Sequence, residues 1–398
     1  MNKLPQPIDQ IPSPRKKLLT FLNLGQPAPT ARARPLIGVL TGTGIGPEVI
    51  DCSLRVLAAV SKKTGIEFEL RRGGPIGEEA RVTFGKWLPN SVTQFCAEVF
   101  ADGGAILSGP GGGRYVYDLR KEFDLFCKFV PVKPAPELAR AGKISPQFLR
   151  DVDLLIVRDN TGGIYQGDWQ NHNAADGQVA EHHFRYSETE VRRLIEVAAR
   201  AAAARRGGLH IIVKDGGIPG ITALWREVGV AAAEKHGVTA KFMNVDLAAY
   251  ELIQHPEMFD VMVAPNLCGD ILADISGVLL SSRGVTFSGN YDPRGFAVYQ
   301  TNHGCANDLA GTGTANPVGQ MFSLAMLLRE SFGLDPAADL IEQSIAKVWS
   351  RGSRTADLLE PGCRRVGTLE MTDLIIEQIR QNREVPDQKP HEARAVAG

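Results

Sequence analysis

The segment Asn266-Leu-Cys-Gly-Asp270-Ile-Leu-Ala-Asp274 sets two carboxylates four residues apart, and a third, Asp246, stands a strand and a turn upstream. On the first turns of a helix this spacing sends Asp270 and Asp274 the same way, and two like charges held together call for a cation. All candidate donors are oxygens and no Cys/His spacing competes, which favours Mg²⁺ or Mn²⁺ over zinc. Taken alone, the pair has a second reading: acids in a first helical turn that answer the helix dipole.

The elements that must carry these residues are legible as alternating strands and helices, so the fold class is α/β. Leu36–Leu40 reads as a buried strand, followed by the tight turn Thr41-Gly-Thr-Gly-Ile-Gly-Pro47, with Pro47 opening a helix through about Val60. Ala105–Ser108 is a second strand, running into the glycine-rich loop Gly109–Gly113. Asp124–Val132, Asp153–Val157 and Leu209–Val213 read as further strands, Arg185–Arg206 as a long Ala-rich helix, and Pro317–Arg329 as an apolar one. The first glycine turn is not a Rossmann fingerprint: its spacing is G-x-G-x-G-P, and no acid ends a second strand about 20 residues on.

Composition bounds the function classes. The 398 residues are 43% hydrophobic and 22% charged with a net charge of −1, which describes a soluble protein without a whole-molecule field for nucleic acid or membrane. Six scattered cysteines without a CxxC fit reduced thiols and a cytoplasmic location. Residues 1–35 carry six basic side chains against Asp9 but no apolar signal core, and are expected to be a flexible extension. The tail after about Arg383 is expected to be loosely held.

The chain resembles the isocitrate/isopropylmalate dehydrogenase family of metal-dependent, decarboxylating 2-hydroxyacid dehydrogenases. The matching segments are Gly42–Val49, Leu119–Phe126, Val157–Gly167, Phe259–Asp274, Arg354-Thr-Ala-Asp357 and the long run His303-Gly-Cys-Ala-Asn-Asp-Leu-Ala-Gly-Thr-Gly-Thr-Ala-Asn-Pro317. The resemblance implies a two-domain sandwich. A discontinuous large domain (36–127 and 281–383) would bind the cofactor. A central domain (128–280) would bind substrate and metal and carry a hairpin arm around Gly162–Phe184. It also implies a homodimer with shared active sites. The arm holds His172, His182 and His183, for which interface or solvent roles are expected rather than a metal.

Carried over residue by residue, the resemblance makes Asp246, Asp270 and Asp274 the metal ligands, with Asp246 supplied by the partner subunit. Arg120 and Arg158 become the carboxylate grips, a task suited to a planar bidentate donor. Tyr165 becomes the acid that protonates the enol carbon, and His303, Gly304 and Asn316 belong to the dinucleotide loop. Asp308 lies where an acid faces the adenosine ribose; a carboxylate there repels a 2′-phosphate and favours NAD over NADP.

Three departures bear on the exact reaction. The family's third arginine is Val130 here, and Lys128, on the same strand face by the two-residue period, is the candidate replacement, with a surface lysine as the alternative. The catalytic lysine falls on Lys214 or on Asp215 according to the gap allowed before Trp225, with Lys214 preferred. The loop Gly113-Arg-Tyr-Val-Tyr117 fits neither known specificity pattern, and Arg114 suggests a polar or anionic third substituent on the substrate. Thr43 replaces the usual Asp of the first glycine turn. The reading that results is oxidative decarboxylation of a substituted malate, a 3-carboxy-2-hydroxy acid, using NAD and Mg²⁺ or Mn²⁺. The alternative is a catalytically weakened regulatory or structural subunit of the same family.

Overall fold

The computed structural model describes residues 17–22 and 34–382; the remainder of the N-terminal extension and the tail after Asn382 lie outside the described residues. Ten strands form one sheet in the order β2 (Glu69–Arg72), β1 (Leu36–Leu40), β3 (Ala105–Ser108), β12 (Ala297–Thr301), β11 (Phe287–Tyr291), β4 (Cys127–Val132), β5 (Leu154–Asp159), β10 (Val261–Ala264), β8 (Gly208–Val213) and β9 (Thr239–Asn244). The two flanks are parallel, while the β12–β11, β11–β4 and β4–β5 pairings are antiparallel. A separate two-stranded hairpin, β6 (Asp168–Ala174) with β7 (Gly177–His183), projects from the turn after β5.

The flanking strands β1, β3, β5 and β10 are buried along their whole length, as parallel strands covered by helices on both faces must be. The covering helices follow from local signals. Gly46–Thr64 starts with Pro47 in its first turn and stops at Gly65, held at φ 74°. The helix expected over Arg185–Arg206 is trimmed to Glu188–Ala203, because Ser187 and Glu190 form a reciprocal capping box. The strand expected from Asp124 begins at Cys127, because Asp124 sits at φ 46° and the Leu125 N–H is taken by the Arg120 carbonyl (2.9 Å).

Part of the extension expected to be flexible is ordered. Leu18–Leu22 forms a helical turn whose Phe21 and Leu22 are buried in the main core. Arg200 Nε donates to the Phe21 carbonyl (2.6 Å), and the Leu19 N–H donates to Glu330 Oε2 (3.3 Å). Arg200 lies on the helix over β5, β10 and β8, and Glu330 on the helix Val318–Phe332 over β3, β11 and β12, so this turn straps the two flanks together. Among the described residues no helix is long and apolar enough to cross a membrane.

Candidate active site

The helix Asn266–Ile275 begins immediately after β10, so its first turns stand at the C-terminal edge of the parallel strands. The helical period aligns Asn266 and Asp270, and both face Arg158 at the end of β5. Arg158 is 1% exposed. Its Nη2 and Nε donate to Asn266 Oδ1 (2.8 and 3.3 Å), and its Nη1 donates to Asp270 Oδ1. Gly269 explains how the arginine passes: a Cβ there would lie 2.8 Å from Arg158 Cγ. Asn266 is therefore a site residue that the sequence reading quoted in its motif and gave no role. Its side chain also donates to the Gly162 carbonyl (3.0 Å), tying the helix to the turn that carries Tyr165.

Tyr165 lies in the helical turn Ile164–Gln166, and its hydroxyl donates to Asp270 Oδ2 (3.0 Å). Burial and the Asp270 carboxylate push the phenol well above its ordinary pKa, so it holds its proton. Burial alone would raise the pKa of Asp270. Arg158 and Lys128, helped by the Tyr165 hydroxyl, outweigh that effect and keep it below the usual carboxylate value.

Two more cations complete this pocket. Arg120, on the helix Tyr115–Glu122, is 3% exposed, its Nε is buried without a partner, and its guanidinium lies 5.8 Å from the Tyr117 ring. Burial and the neighbouring Arg158 lower its pKa to about 9. Lys128 is not a surface lysine: it is 2% exposed on β4, in register with Arg158 on β5 and Asn290 on β11, and its Nζ donates to Asn302 Oδ1 (2.5 Å). Burial, Arg158 and Arg120 hold it well below the ordinary lysine value. Val130, two residues on, packs in the main core.

Arg114 is engaged within the protein. Its Nη1 donates to the Tyr165 carbonyl (3.2 Å), and its guanidinium lies 5.3 Å from the Tyr117 ring and 4.8 Å from the Trp169 ring on β6. It thus joins the glycine-rich loop to the hairpin and braces Tyr165, whose ring meets Tyr117 edge-on at 5.2 Å.

The remaining carboxylates stand apart from this pocket. Asp274 accepts from Arg283 Nη2 (2.8 Å), and the exposed Asp246 accepts from Lys214 Nζ (2.8 Å), which depresses its pKa. Among the described residues of one chain, no three His, Cys, Asp or Glu side chains converge to hold a metal. Asp215 turns away: both its oxygens accept from Arg226 (3.0 and 2.8 Å). Of the two candidates for the catalytic lysine position, only Lys214 reaches one of the three aspartates.

The loops after β1, β3 and β12 interlock beside the pocket. The Thr43 N–H donates to the Pro110 carbonyl (2.8 Å), its hydroxyl to the Gly111 carbonyl (3.0 Å), and the Ile45 N–H to the Cys305 carbonyl (2.9 Å). This gives Thr43 a role the sequence did not supply, since it fastens two loops where an acid would repel their carbonyls. Gly44 must be glycine: it sits at φ 61° with its Cβ position 2.2 Å from the Cys305 oxygen. His303 Nδ1 lies 3.0 Å from the Gly304 carbonyl, which can only accept, so Nδ1 carries the proton and Nε2 is free to accept. Asp308 and Gly304 are exposed, whereas Asn316 is buried with both polar ends engaged, by Asp357 Oδ2 and the Val318 N–H (3.0 Å each).

The chain matches the family model of isocitrate/isopropylmalate dehydrogenase over residues 36–375. It belongs to the isocitrate/isopropylmalate dehydrogenase family. It is 35% identical over 360 residues to the 3-isopropylmalate dehydrogenase of Aquifex aeolicus, covering 87% of this chain and 97% of that protein. It is 37% identical over 358 residues to that of Nitrosomonas europaea, covering 86% and 99%. Among solved structures, isocitrate dehydrogenase from Methylococcus capsulatus superposes with a TM-score of 0.77 at 28% identity, covering 87% of this chain and all of that one. Membership in the isocitrate/isopropylmalate dehydrogenase family carries the general activity, a dehydrogenase acting on a hydroxy acid. The family match begins at residue 36, so the anchored turn Leu18–Leu22 lies outside it.

Proposed function

We propose that this dehydrogenase oxidatively decarboxylates a substituted malate, a 3-carboxy-2-hydroxy acid, with NAD and Mg²⁺ or Mn²⁺. The observation that carries this reading is the buried set Arg120, Lys128 and Arg158 facing Asp270 and the Tyr165 hydroxyl. Buried cations with spare donors are costly unless an anion completes them, and a malate skeleton brings two carboxylates. Tyr165, held protonated beside Asp270, is suited to deliver a proton to carbon once carbon dioxide has left.

Asp270, Asp274 and Asp246 are an all-oxygen donor set of the kind that hard divalent ions take, and they would hold the metal with Asp246 coming from a second copy of the chain. When bound, the ion acidifies the substrate hydroxyl and steadies the developing enolate charge. Lys214, joined to Asp246, is the residue placed to take up the hydroxyl proton when its amine is neutral. Arg158 and Arg120 orient the carboxylates, and burial of the cluster excludes water.

His303 with a free Nε2 and the exposed Asp308 support adenosine recognition and the choice of NAD; the engaged Asn316 shapes the loop beneath them. A homodimer is supported by the hairpin β6–β7, whose side chains are almost all exposed although an isolated hairpin is marginal in water. Exposed Leu247, Tyr250, Leu267 and Ile271 on the helices Val245–Gln254 and Asn266–Ile275 point the same way. The division into 36–127 with 281–383 and 128–280 would run along the β11–β4 pairing.

The test is nicotinamide reduction by the purified chain with Mn²⁺, using malate, tartrate, 3-isopropylmalate, isocitrate and homoisocitrate in turn. Turnover abolished by a chelator is the expected result. Turnover indifferent to chelator, or a Mn²⁺ affinity unchanged in Asp270→Asn and Asp274→Asn, would contradict the proposal.

A further inference from the structure

Two titratable groups beside the pocket, Asp159 and Tyr186, take no part in the reaction proposed above. Asp159 closes β5 directly after Arg158 and is 6% exposed, and no cation forms an ion pair with it among the described residues. Its oxygens accept instead from the Thr161 N–H (3.1 Å), the Gly162 N–H (3.1 and 3.2 Å) and the Tyr186 hydroxyl (3.0 Å). A carboxylate taken out of water without a counter-charge is costly, and these donors are what offsets the cost. Three of the four contacts come from the turn that leads to Tyr165.

Tyr186 stands one residue before the Ser187 cap of the helix Glu188–Ala203. Its hydroxyl accepts from the Asn266 N–H (3.1 Å). That N–H is an orphan donor at the start of the Asp270 helix, and the preceding Pro265 has no side chain able to cap it. The Tyr186 ring lies close against the Tyr165 turn. A Cβ on Gly162 would fall 2.6 Å from its Cε1, and one on Gly163 would fall 2.3 Å from its oxygen. The same ring meets Trp225 edge-on at 5.6 Å, on the helix Pro219–His236, and Thr222 of that helix donates to the Lys214 carbonyl (3.1 Å).

We propose that Tyr186, aimed by Asp159, is a positioning residue for the proposed reaction: one hydroxyl locks the Tyr165 turn to the Asp270 helix and so keeps the Tyr165 hydroxyl on Asp270. The inference rests on the reading of Tyr165 as the proton donor. The directions of the two bonds are fixed, because an N–H can only donate. Tyr186 must accept from Asn266, which leaves its own proton for Asp159. Phenylalanine at 186 breaks both links. Asparagine at 159 has a single acceptor oxygen where the carboxylate uses two, so it releases either Tyr186 or the Thr161 amide. The Asn266 side chain, on the Gly162 carbonyl, is a second tie that survives in both variants, so the expected loss is graded and not total.

The experiment has a spectroscopic arm and a kinetic arm, both on the full chain. In the first, the seven tyrosines are isotopically labelled at Cζ, the Tyr165 resonance is assigned by its absence in Tyr165→Phe, and its pH titration is followed without substrate, metal or NAD. The parent resonance should stay flat through pH ~10, where an ordinary phenol is half ionised. In Tyr186→Phe and in Asp159→Asn it should begin to titrate there, because the phenol is no longer held on Asp270. A Tyr165 resonance as flat in both variants as in the parent overturns the inference, whatever the turnover.

In the kinetic arm, using whichever of the acids named above turns over, Tyr186→Phe should lower kcat about 10- to 100-fold and leave KM in place, the cost of a misplacement of up to ~1 Å. In a Tyr165→Phe background the same change should cost nothing further, since there is no hydroxyl left to place. An equal fall in both backgrounds would mean a general structural role and overturn the inference. A parent that turns over nothing refutes the proposed reaction, and the spectroscopic arm still decides the role of Tyr186. Melting curves show which variants fold, and Asp159→Asn carries both arms if Tyr186→Phe does not.

Discussion

Replacing Arg120 by Met should make the substrate-free protein more stable while destroying its grip on carboxylates. Burial and Arg158 lower the arginine's pKa from 12.5 to about 9. At ~1.4 kcal/mol per tenfold change in proton affinity, that drop is a folded-state penalty of at most ~5 kcal/mol. At pH 7 the arginine is charged both folded and unfolded, so the whole penalty applies. Above pH 9 the unfolded chain binds more protons than the native one, so the parent's stability rises and its gap to the variant closes. Against the gain stands the lost contact with the Tyr117 ring, worth ~0.5–1 kcal/mol, and ~1 kcal/mol of imperfect filling. The net expectation is a gain of ~1–3 kcal/mol, read as a higher melting temperature at pH 7 without ligand. In the same assay succinate should stabilise the parent and not the variant. A variant less stable than the parent by 1 kcal/mol or more would refute the reasoning, since it would mean that Arg120 is a structural cation and not one held ready for an anion.

Glu330, buried under the Leu18–Leu22 turn, has its carboxyl pushed up from 4.5 to about 7 by burial. The native state therefore binds the extra proton between those values, and stability should fall by up to ~3 kcal/mol as pH rises from 4.5 to 7, then level off. Glu330→Gln should remove that slope, checked by melting at pH 5 and pH 8; an unchanged slope would disprove the assignment. Lys214→Met should cost turnover ~10²- to 10⁴-fold, while Asp215→Asn, which loses only the Arg226 pair, should stay near the parent's rate. Steady-state kinetics would decide, and the reverse pattern would move the base to position 215. Replacing Asp168–His183 by a short glycine linker should leave a monomer by light scattering; a dimer of parental mass would count against the hairpin as an interface.

The sequence made the α/β class legible because hydrophobic runs and glycine turns are local signals. Leu36–Leu40 and Ala105–Ser108 agree to the residue, capping at Ser187 and the left-handed Asp124 move two starts, and the first helix, β5, β8 and the helix Val318–Phe332 also differ from their expected bounds. The strands β2 and β9 escaped because they are short edge strands with weak hydrophobic patterning, and β11 and β12, a hairpin, because their place in the sheet is set by the distant β4 and β3. The turn Leu18–Leu22 escaped because its burial depends on Arg200 and Glu330, some 180 and 310 residues away. In the site, residue types were readable but occupancy was not. Arg114 and Lys128 look alike as cations in a string of letters, and only the structure shows that one is spent on Tyr165 and Trp169 while the other waits on Asn302.

The strand order also fixes a timetable for the nascent chain. β3 and β4 are separated in sequence by one helix, yet in the sheet β12 and β11 lie between them, and those strands are made some 160 residues after β4. Until the ribosome has passed Thr301, the protein holds two half-sheets whose inner edges, Ala105–Ser108 and Cys127–Val132, are unpaired and, Lys128 aside, apolar. Such edges invite pairing with other chains. A nonsense mutation anywhere between β9 and β12 should therefore yield aggregating polypeptide and no soluble fragment, and the hairpin Phe287–Thr301 acts as the keystone whose arrival ends that exposure.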